Sequence, residues 1–363
     1  MVSRATIRRV DPELRLIWEG APNMDTLSDV SAVRDAFASH YPDIFGLPHL
    51  PVSTQLPSHN VKSADGTQIK VMHCIPEAHA GINAPPDRAV IVCFGGGFIM
   101  GNADSNINFA ANMAIQTHSH VFMPNYRLAP EHPAPAAVED VYATLRWVQT
   151  HAAGLGINAE RVVLFGVSAG GGIATGTALM AYDKSLTSSE KLPLPAGLAL
   201  RYPMLDDRTV GSIEDPEHCY HVWNCVVNEV AWTAYAGGKE RAERTNDIIS
   251  IYAAPARAGP DKLRGLPPTF VDVGGLDLFR EEITKFVAAL ATAGVDVEFH
   301  HYSGLPHGVE MMAPGISKAI AMNKNTCRFA GGVCFQLHLG KSAKLRLCQA
   351  GVEARPDRCR RQT

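Results

Sequence analysis

The chain has 363 residues, of which 46% are apolar and 19% are charged, and its formal net charge at pH 7 is −3. These values are typical of a globular enzyme and exclude an intrinsically disordered chain. The near-neutral balance gives no case for nucleic acid or an anionic membrane as a partner. No apolar run approaches the roughly 20 residues that a transmembrane helix needs.

The N-terminal residues include basic side chains, but no apolar stretch follows them, so the sequence does not predict a secretory signal. The chain contains no Asn-x-Ser/Thr sequon, which fits an intracellular protein. Its eight cysteines form no Cys-x-x-Cys pair and indicate neither a zinc site nor a disulfide framework. We therefore expect a cytoplasmic protein with reduced cysteines.

Residues 1–58 carry an amphipathic piece and then a proline-rich link. Leu27, Val30, Val33 and Phe37 recur at the spacing of one helical face. This region lies outside the regular alternation of strands and helices that follows it.

From about residue 60 to about residue 320, strand-like and helix-like segments alternate. A β-hairpin is predicted around Asp65-Gly66. Apolar runs predict further strands at Ala89–Phe94, His120–Tyr126, Arg161–Phe165, Gly197–Tyr202, Thr269–Val273 and Val295–Tyr302. Helical periodicity is clearest at Val138–His151 and Leu278–Ala293. Such alternation is typical of βαβ units around a mostly parallel sheet.

Two segments depart from this alternation. Residues 206–262 lie between two predicted strands and include a helix-like stretch at Val226–Tyr235, so they form either a lid or a passive surface excursion. Residues 323–363 carry nine Lys and Arg against two acids, and four of the eight cysteines. The cysteine spacing there matches no zinc pattern. This tail is either a basic interaction segment or a stretch without folding constraint.

The sequence Gly166-Val167-Ser168-Ala169-Gly170 follows a predicted strand and precedes a helix-compatible stretch. The flanking glycines permit a sharp, strained turn that projects the serine hydroxyl away from the backbone. The pattern is typical of a nucleophile, although a chance match in an ordinary turn would give the same five residues.

A nucleophilic serine needs a base, a group that orients the base, and donors for the developing oxyanion. Asp277 and His307 each come directly after a predicted strand. Taken singly, Asp277 could be a helix N-cap and His307 an ordinary loop histidine. The chain order Ser168, Asp277, His307 is nevertheless that of α/β-hydrolases, and the joint pattern predicts a catalytic triad.

The segment Gly95-Gly96-Gly97 also follows a strand, and successive glycines let backbone N–H groups approach a bound molecule. We predict oxyanion donors here. A phosphate-binding loop is the alternative, but the sequence has no Gly-Lys-Ser/Thr and no acidic ribose partner to support it.

With these motifs, about residues 60–320 resemble the hormone-sensitive-lipase-like branch of α/β-hydrolases, many of which are carboxylesterases. The most specific element is the string Tyr-Arg-Leu-Ala-Pro-Glu-His-Pro at 126–133. The chain also resembles fungal members that act on esters of secondary metabolites. The resemblance implies an α/β-hydrolase fold, with a mostly parallel central sheet flanked by helices and covered by a helical cap.

By position, the resemblance implies that Ser168 is the nucleophile, His307 the general base and then acid, and Asp277 its orienting carboxylate. It implies an oxyanion hole of three backbone amides, those of Gly96, Gly97 and Ala169. It also implies a division of the chain into an N-terminal cap segment at 1–58, a hydrolase core at 59–322 with a cap insertion at 206–262, and the tail at 323–363.

Three positions depart from the family pattern. Phe94 stands where the family has a histidine that is thought to brace the glycine loop, so its absence puts the alignment of the oxyanion donors in doubt. Val167 replaces an acidic or small residue, and Leu278 replaces a proline. Both of these changes are compatible with the predicted turn and loop.

Other candidate sites are weaker. The adjacent His300 and His301 lie on a predicted strand and point to opposite faces, so they do not share a metal ion. Asp206 and Asp207 resemble a carboxylate pair, but adjacent loop acids are usually solvated. Cys93 lies on a strand and is interpreted as a core residue.

The sequence therefore predicts a serine hydrolase that needs no cofactor or metal and cleaves small carboxylic esters with short or medium acyl groups. Its substrate is expected to be a small molecule, not nucleic acid. A same-triad enzyme could instead transfer the acyl group to an alcohol, or close or open a lactone. A ligand-binding protein with weak catalysis is the other alternative, since plant gibberellin receptors resemble this fold but lack the catalytic histidine.

Overall fold

The computed structural model describes residues 9–17, 20–40, 54–76, 86–189 and 192–332. In these residues nine strands form one sheet. They are β1 (Thr54–Gln55), β2 (Ser58–Lys62), β3 (Gln68–Pro76), β4 (Ala89–Cys93), β5 (His120–Pro124), β6 (Val162–Val167), β7 (Gly197–Arg201), β8 (Thr269–Gly274) and β9 (Val297–Tyr302).

Helices cover the sheet and form the excursions from it. They are α1 (Val30–His40), α2 (Ile107–Thr117), α3 (Ala136–Thr150), α4 (Ala152–Leu155), α5 (Ala169–Thr187), α6 (Cys225–Tyr235), α7 (Pro260–Leu263), α8 (Arg280–Thr292), α9 (Val309–Met312) and α10 (317–332). Among the described helices, none combines the length and the apolar character needed to cross a membrane.

The strand order is β1-β3-β5-β4-β6-β7-β8-β9, with β2 also paired to β3. Neighbouring strands in the series β5-β4-β6-β7-β8-β9 pair in parallel, whereas β3 pairs antiparallel with β1, β2 and β5. The predicted mostly parallel sheet is therefore confirmed. The predicted hairpin is also present, because β2 and β3 pair around the turn at Asp65-Gly66.

The central strands β4 to β8 are buried along almost their whole length, as their continuous apolar runs predicted. The predicted ends of β4 to β9 differ from the observed ones by up to two residues, and β9 illustrates the reason. Val295 does not begin β9, because its amide donates a hydrogen bond to Leu290 O and holds it in the turn after α8. Parallel strands end at the same edge of the sheet, so the loops after β4, β6, β8 and β9 are neighbours there.

Helix α10 crosses the predicted start of the tail at residue 323. Its Thr326 accepts a hydrogen bond from Arg201 on β7, its Phe329 ring lies 5.6 Å from that of Phe270 on β8, and its Ala330 is fully buried. The boundary drawn at residue 323 is therefore misplaced, because residues 323–332 pack against the sheet. The rest of the predicted tail, 333–363, lies outside the described residues.

Candidate active site

The turn between β6 and α5 places Ser168 at the carboxyl edge of the sheet. Ser168 has a φ of 56° and a ψ of −123°, a backbone conformation that costs on the order of 1–3 kcal/mol for a residue other than glycine. A Cβ atom on Gly166 would lie 2.3 Å from Gly170 O, and one on Gly170 would lie 2.2 Å from Cys93 O. Both glycines are therefore required by close backbone packing, and the serine carries the strain of the turn.

The structure brings the three predicted side chains together. His307 Nε2 lies 2.9 Å from Ser168 Oγ, and His307 Nδ1 lies 2.7 Å from Asp277 Oδ2. The second oxygen of Asp277 accepts a hydrogen bond of 2.8 Å from the amide of Phe279, which fixes the carboxylate. Ser168, Asp277 and His307 are all at least nine-tenths buried. A continuous hydrogen-bonded row thus runs from the loop after β8, through the loop after β9, to the turn after β6.

Aromatic rings hold the imidazole of His307 in place. The Tyr202 ring lies 4.3 Å from it, and the Phe279 ring meets it nearly edge-on at 5.4 Å. Both rings are buried. Because the His307 imidazole has little room to turn, its two nitrogens remain directed at Ser168 and at the Asp277 carboxylate.

The glycine loop after β4 lies beside Ser168. Gly96 and Gly97 have φ values of 130° and 58°, and a Cβ on either would lie about 2 Å from Met100 O or from the Trp223 ring. In the described residues, neither of these two amides donates to a backbone carbonyl. Ala169 is the first residue of α5, where a helix leaves its amide without an intrahelical acceptor. All three predicted amide donors are therefore located around the serine.

A family model for the alpha/beta hydrolase fold matches residues 90–311. The chain belongs to this family. The predicted fold class and the predicted resemblance to hormone-sensitive-lipase-like hydrolases are thereby confirmed.

Characterised relatives of this α/β-hydrolase are esterases. It is 34% identical over 232 residues to esterase LipI of Mycobacterium tuberculosis, covering 61% of this chain and 67% of that protein. It is 28% identical over 249 residues to versiconal hemiacetal acetate esterase of Aspergillus parasiticus, covering 66% and 70%. A solved bacterial heroin esterase superposes with a TM-score of 0.78 at 29% identity, covering 91% of this chain and 99% of that one. The prediction of a carboxylic ester hydrolase agrees with these relatives.

Phe94 supports the glycine loop of this hydrolase. Its buried ring stacks on Tyr126, with centroids 4.1 Å apart and planes 10° from parallel, and Tyr126 donates a hydrogen bond of 2.5 Å to Phe94 O. Burial raises the pKa of the Tyr126 phenol well above its ordinary value, so the hydroxyl stays protonated and remains a donor. Sequence reasoning missed this pair, although Tyr126 opens the family's most specific string.

Arg127, the next residue of that string, joins three elements. Its guanidinium makes hydrogen bonds of 2.7 and 2.9 Å to Asp140 on α3 and one of 2.6 Å to Asp65 in the β2–β3 turn. The carboxylate hydrogen bonds hold the pKa of Arg127 above its ordinary value. Since Asp140 is fully buried, the ion pair fixes the loop that carries Tyr126.

A cavity of about 280 Å³ opens beside Ser168 and His307. Phe37 of α1 and Val222 and Trp223 of the 206–262 excursion line it, and the Phe37 and Trp223 rings lie 5.7 Å apart. The N-terminal region and the excursion are also joined directly, since the Ala21 amide donates to Cys219 O at 2.9 Å and Asn224 Nδ2 donates to Asp25 Oδ1 at 3.0 Å. Both regions therefore contribute walls to the cavity.

The structure also locates the weaker candidates. Among the residues it describes, no group of three or more side chains could hold a metal ion. Cys93 is fully buried in the core, where burial raises the pKa of its thiol. The interpretation of Asp207 as a solvated loop acid is wrong, because its buried carboxylate pairs with Arg257 through hydrogen bonds of 2.6 and 2.8 Å. Its neighbour Asp206 binds Arg208 instead.

Proposed function

We propose that this protein hydrolyses carboxylic esters through an acyl-enzyme intermediate formed on Ser168. The observation that carries the proposal is the buried hydrogen-bonded row Ser168–His307–Asp277, which opens onto the cavity. In this row His307 can accept the serine proton while Asp277 stabilises the resulting imidazolium.

Ser168 Oγ attacks the ester carbonyl carbon, and its proton passes to His307 Nε2. The carbonyl oxygen becomes an oxyanion, which accepts hydrogen bonds from three backbone amides, those of Gly96, Gly97 and Ala169. The carbon–oxygen bond to the alcohol then breaks, and His307 returns the proton to the leaving alcohol. Water, deprotonated by His307, attacks the acyl-serine carbonyl. The bond from the acyl carbon to Ser168 Oγ then breaks, His307 returns the proton to Oγ, and the carboxylic acid is released.

The lining of the cavity supports short or medium acyl groups and a cap formed by residues 1–58 and 206–262. Phe37, Val222 and Trp223 come from these two regions and reduce the space beside the nucleophile. The likeness to versiconal hemiacetal acetate esterase supports an ester of a secondary metabolite as the natural substrate. We place the protein in the cytoplasm, which cell fractionation with an antibody against the chain would test.

The test is hydrolysis of p-nitrophenyl esters from acetate to decanoate by wild type, Ser168→Ala and Ser105→Ala. Ser105 lines the same cavity but its hydroxyl bonds Asn102 O, so its variant is a matched control. Wild type and Ser105→Ala should turn over the shorter esters, whereas Ser168→Ala should lose at least about 10⁴-fold in kcat. No turnover by wild type, together with no labelling of Ser168 by a fluorophosphonate, would refute the proposal.

Acyl transfer and lactone chemistry are distinguished in the same assay by analysing products. Free acid released in proportion to p-nitrophenol identifies hydrolysis. An ester of an added alcohol, or a ring-closed product, would identify one of the alternatives that use the same three side chains.

A further inference from the structure

Two buried polar side chains line the same cavity as Ser168, and both have atoms without a hydrogen-bond partner. Asn108, the second residue of α2, is 8% exposed, and in the described part of the chain neither its Oδ1 nor its Nδ2 has a partner. The side chain of Glu310 on α9 is 7% exposed, and its Oε2 likewise has none. A buried polar atom without a partner destabilises the fold, so three of them on two side chains beside a nucleophile point to partners on the ligand.

The surroundings of Asn108 offer its amide nothing to pair with. The other buried side chains of α2 are apolar except that of Thr117, whose hydroxyl already donates to Met113 O at 2.7 Å; the apolar ones are Ile107, Ala110, Ala111, Met113 and Ala114. The neighbouring wall of the cavity includes Phe109 and Met100. An amide is both a donor and an acceptor, so Asn108 can pair with a hydroxyl or with a carbonyl of a bound molecule.

The charge of the Glu310 carboxylate is already neutralised, which restricts the chemical groups that can bind its free oxygen, Oε2. Its Oε1 accepts a short hydrogen bond from Tyr202 Oη and lies 3.7 Å from Arg201 Nη1. Arg201 is 1% exposed and also faces Asp272. Burial raises the pKa of Asp272, so part of that carboxyl is protonated near neutral pH and the guanidinium balances the charge of Glu310. A cationic ligand group at Oε2 would then leave an uncompensated positive charge in this buried cluster. A neutral O–H group supplies the missing donor without adding charge.

We propose that the substrate of this hydrolase is an ester that carries hydroxyl groups away from its ester bond. These hydroxyl groups donate to Glu310 Oε2 and pair with the Asn108 amide. Glu310 and Asn108 are then specificity-determining residues and take no part in the chemical step. This assignment rests on the proposed function of Ser168, because it describes the other contents of the same cavity.

The test compares matched pairs of esters that differ only by a terminal hydroxyl. On the alcohol side, alkyl acetates of two to eight carbons are compared with the corresponding diol monoacetates. On the acyl side, p-nitrophenyl esters of six to eight carbons are compared with their ω-hydroxy counterparts. In wild type, kcat/KM should be at least about tenfold higher for the hydroxylated member of one series, because the plain ester leaves buried polar atoms unpaired.

Asn108→Leu nearly preserves side-chain volume and removes the amide. It should reduce the hydroxyl preference to about threefold or less and raise kcat/KM on the plain ester. Asn112→Leu is the matched control, since Asn112 lies one turn further along α2, is exposed and does not line this cavity. The control should keep the wild-type preference. Glu310→Gln, which retains shape but replaces a carboxylate oxygen with a donor, should also weaken the preference.

Binding to Ser168→Ala, measured by calorimetry with the same ester pairs, separates this inference from the proposed function. If wild type hydrolyses the plain esters but shows no preference in either series, the hydroxyl assignment is overturned and the hydrolase function stands. If wild type hydrolyses nothing, the hydrolase proposal fails. Tighter binding of the hydroxylated member would then still support the hydroxyl site, whereas equal binding, or none, would overturn it.

Discussion

The floor and the roof of the cavity are built by different means. The floor consists of the glycine loop after β4 and the turn after β6, where the backbone packs so closely that Gly170 has no room for a Cβ. The roof consists of α1 and the 206–262 excursion, where side chains such as Phe37 and Trp223 meet across a gap. We therefore expect the floor to position the atoms that any ester needs, and the roof to select which ester fits.

Substitutions in the floor and in the roof should affect activity in different ways. A change in the floor moves the backbone that carries Ser168 and the amides around it, so it affects every substrate. A change in the roof alters volume and leaves the hydrogen-bonded row intact, so it affects substrates according to their size. Substitutions at Gly170 in the floor and at Phe37 in the roof should therefore have different effects.

Gly170→Ala should have the largest effect. The added methyl would lie 2.2 Å from Cys93 O and 2.3 Å from Phe94 O, and neither carbonyl can move without displacing the glycine loop. We expect a loss of about 3 kcal/mol or more in unfolding free energy and at least about 100-fold in kcat on all chain lengths. Urea unfolding and the p-nitrophenyl ester series measure both.

Gly154→Ala is the control for Gly170→Ala, since a Cβ on Gly154 has nothing within 4 Å. The Gly154→Ala protein should keep the wild-type unfolding free energy, and its kcat should stay within about twofold of the wild-type value. A folded Gly170→Ala protein with normal kcat would contradict the view that backbone packing fixes the floor.

The sequence predicted the floor well because its requirements are local. Gly166 and Gly170 flank Ser168 within one short motif, and Asp277 and His307 each follow a strand whose apolar run is easily recognised. The order of these side chains in the chain, combined with parallel pairing, brings them to one edge of the sheet. The strands β4 to β9 were predicted to within two residues of their ends for the same reason, whereas β1 was not predicted.

The support of the floor and the contents of the roof could not be predicted in this way. The sequence alone indicates a loss of bracing at Phe94, since the stacking partner Tyr126 lies 32 residues away and its position depends on tertiary packing. It likewise predicts a solvated Asp207, because only the fold brings Arg257 to this buried carboxylate. The partnerless Asn108 has no signature in sequence at all, since an asparagine on a helix is ordinarily exposed.

Phe37→Ala should have a smaller and more selective effect. The ring lines the cavity and approaches Trp223, so its removal enlarges the roof and leaves the row from Ser168 to Asp277 unchanged. We expect the ratio of kcat/KM for decanoate to that for acetate to rise about tenfold, with kcat on acetate within about threefold of wild type. Val30→Ala on the same helix, which does not line the cavity, should leave the ratio unchanged. An equal loss on all esters would show that α1 supports the floor.

The smallest effect is expected at a row of three histidines on β2, β3 and β5, two of them buried, outside both the floor and the roof. His59 Nε2 lies 3.0 Å from His73 Nδ1, and His73 Nε2 lies 2.9 Å from His120 Nδ1. Burial, with the neighbouring His120 and His59, lowers the pKa of His73 to about 3. In the unfolded chain an ordinary histidine has a pKa of about 6.5, so the unfolded state binds the extra proton between these values.

Stability from His73 is therefore fully present above about pH 6.5 and is lost as the pH falls towards 3, by at most about 1.4 kcal/mol per pH unit. Urea unfolding of wild type, His73→Gln and the exposed His132→Gln across this range isolates the effect. His73→Gln should be less stable at pH 7, because two imidazoles lose their partner, but its stability should fall less steeply with acid. His132→Gln should follow wild type. Parallel slopes in all three proteins would mean that His73 does not couple protonation to folding.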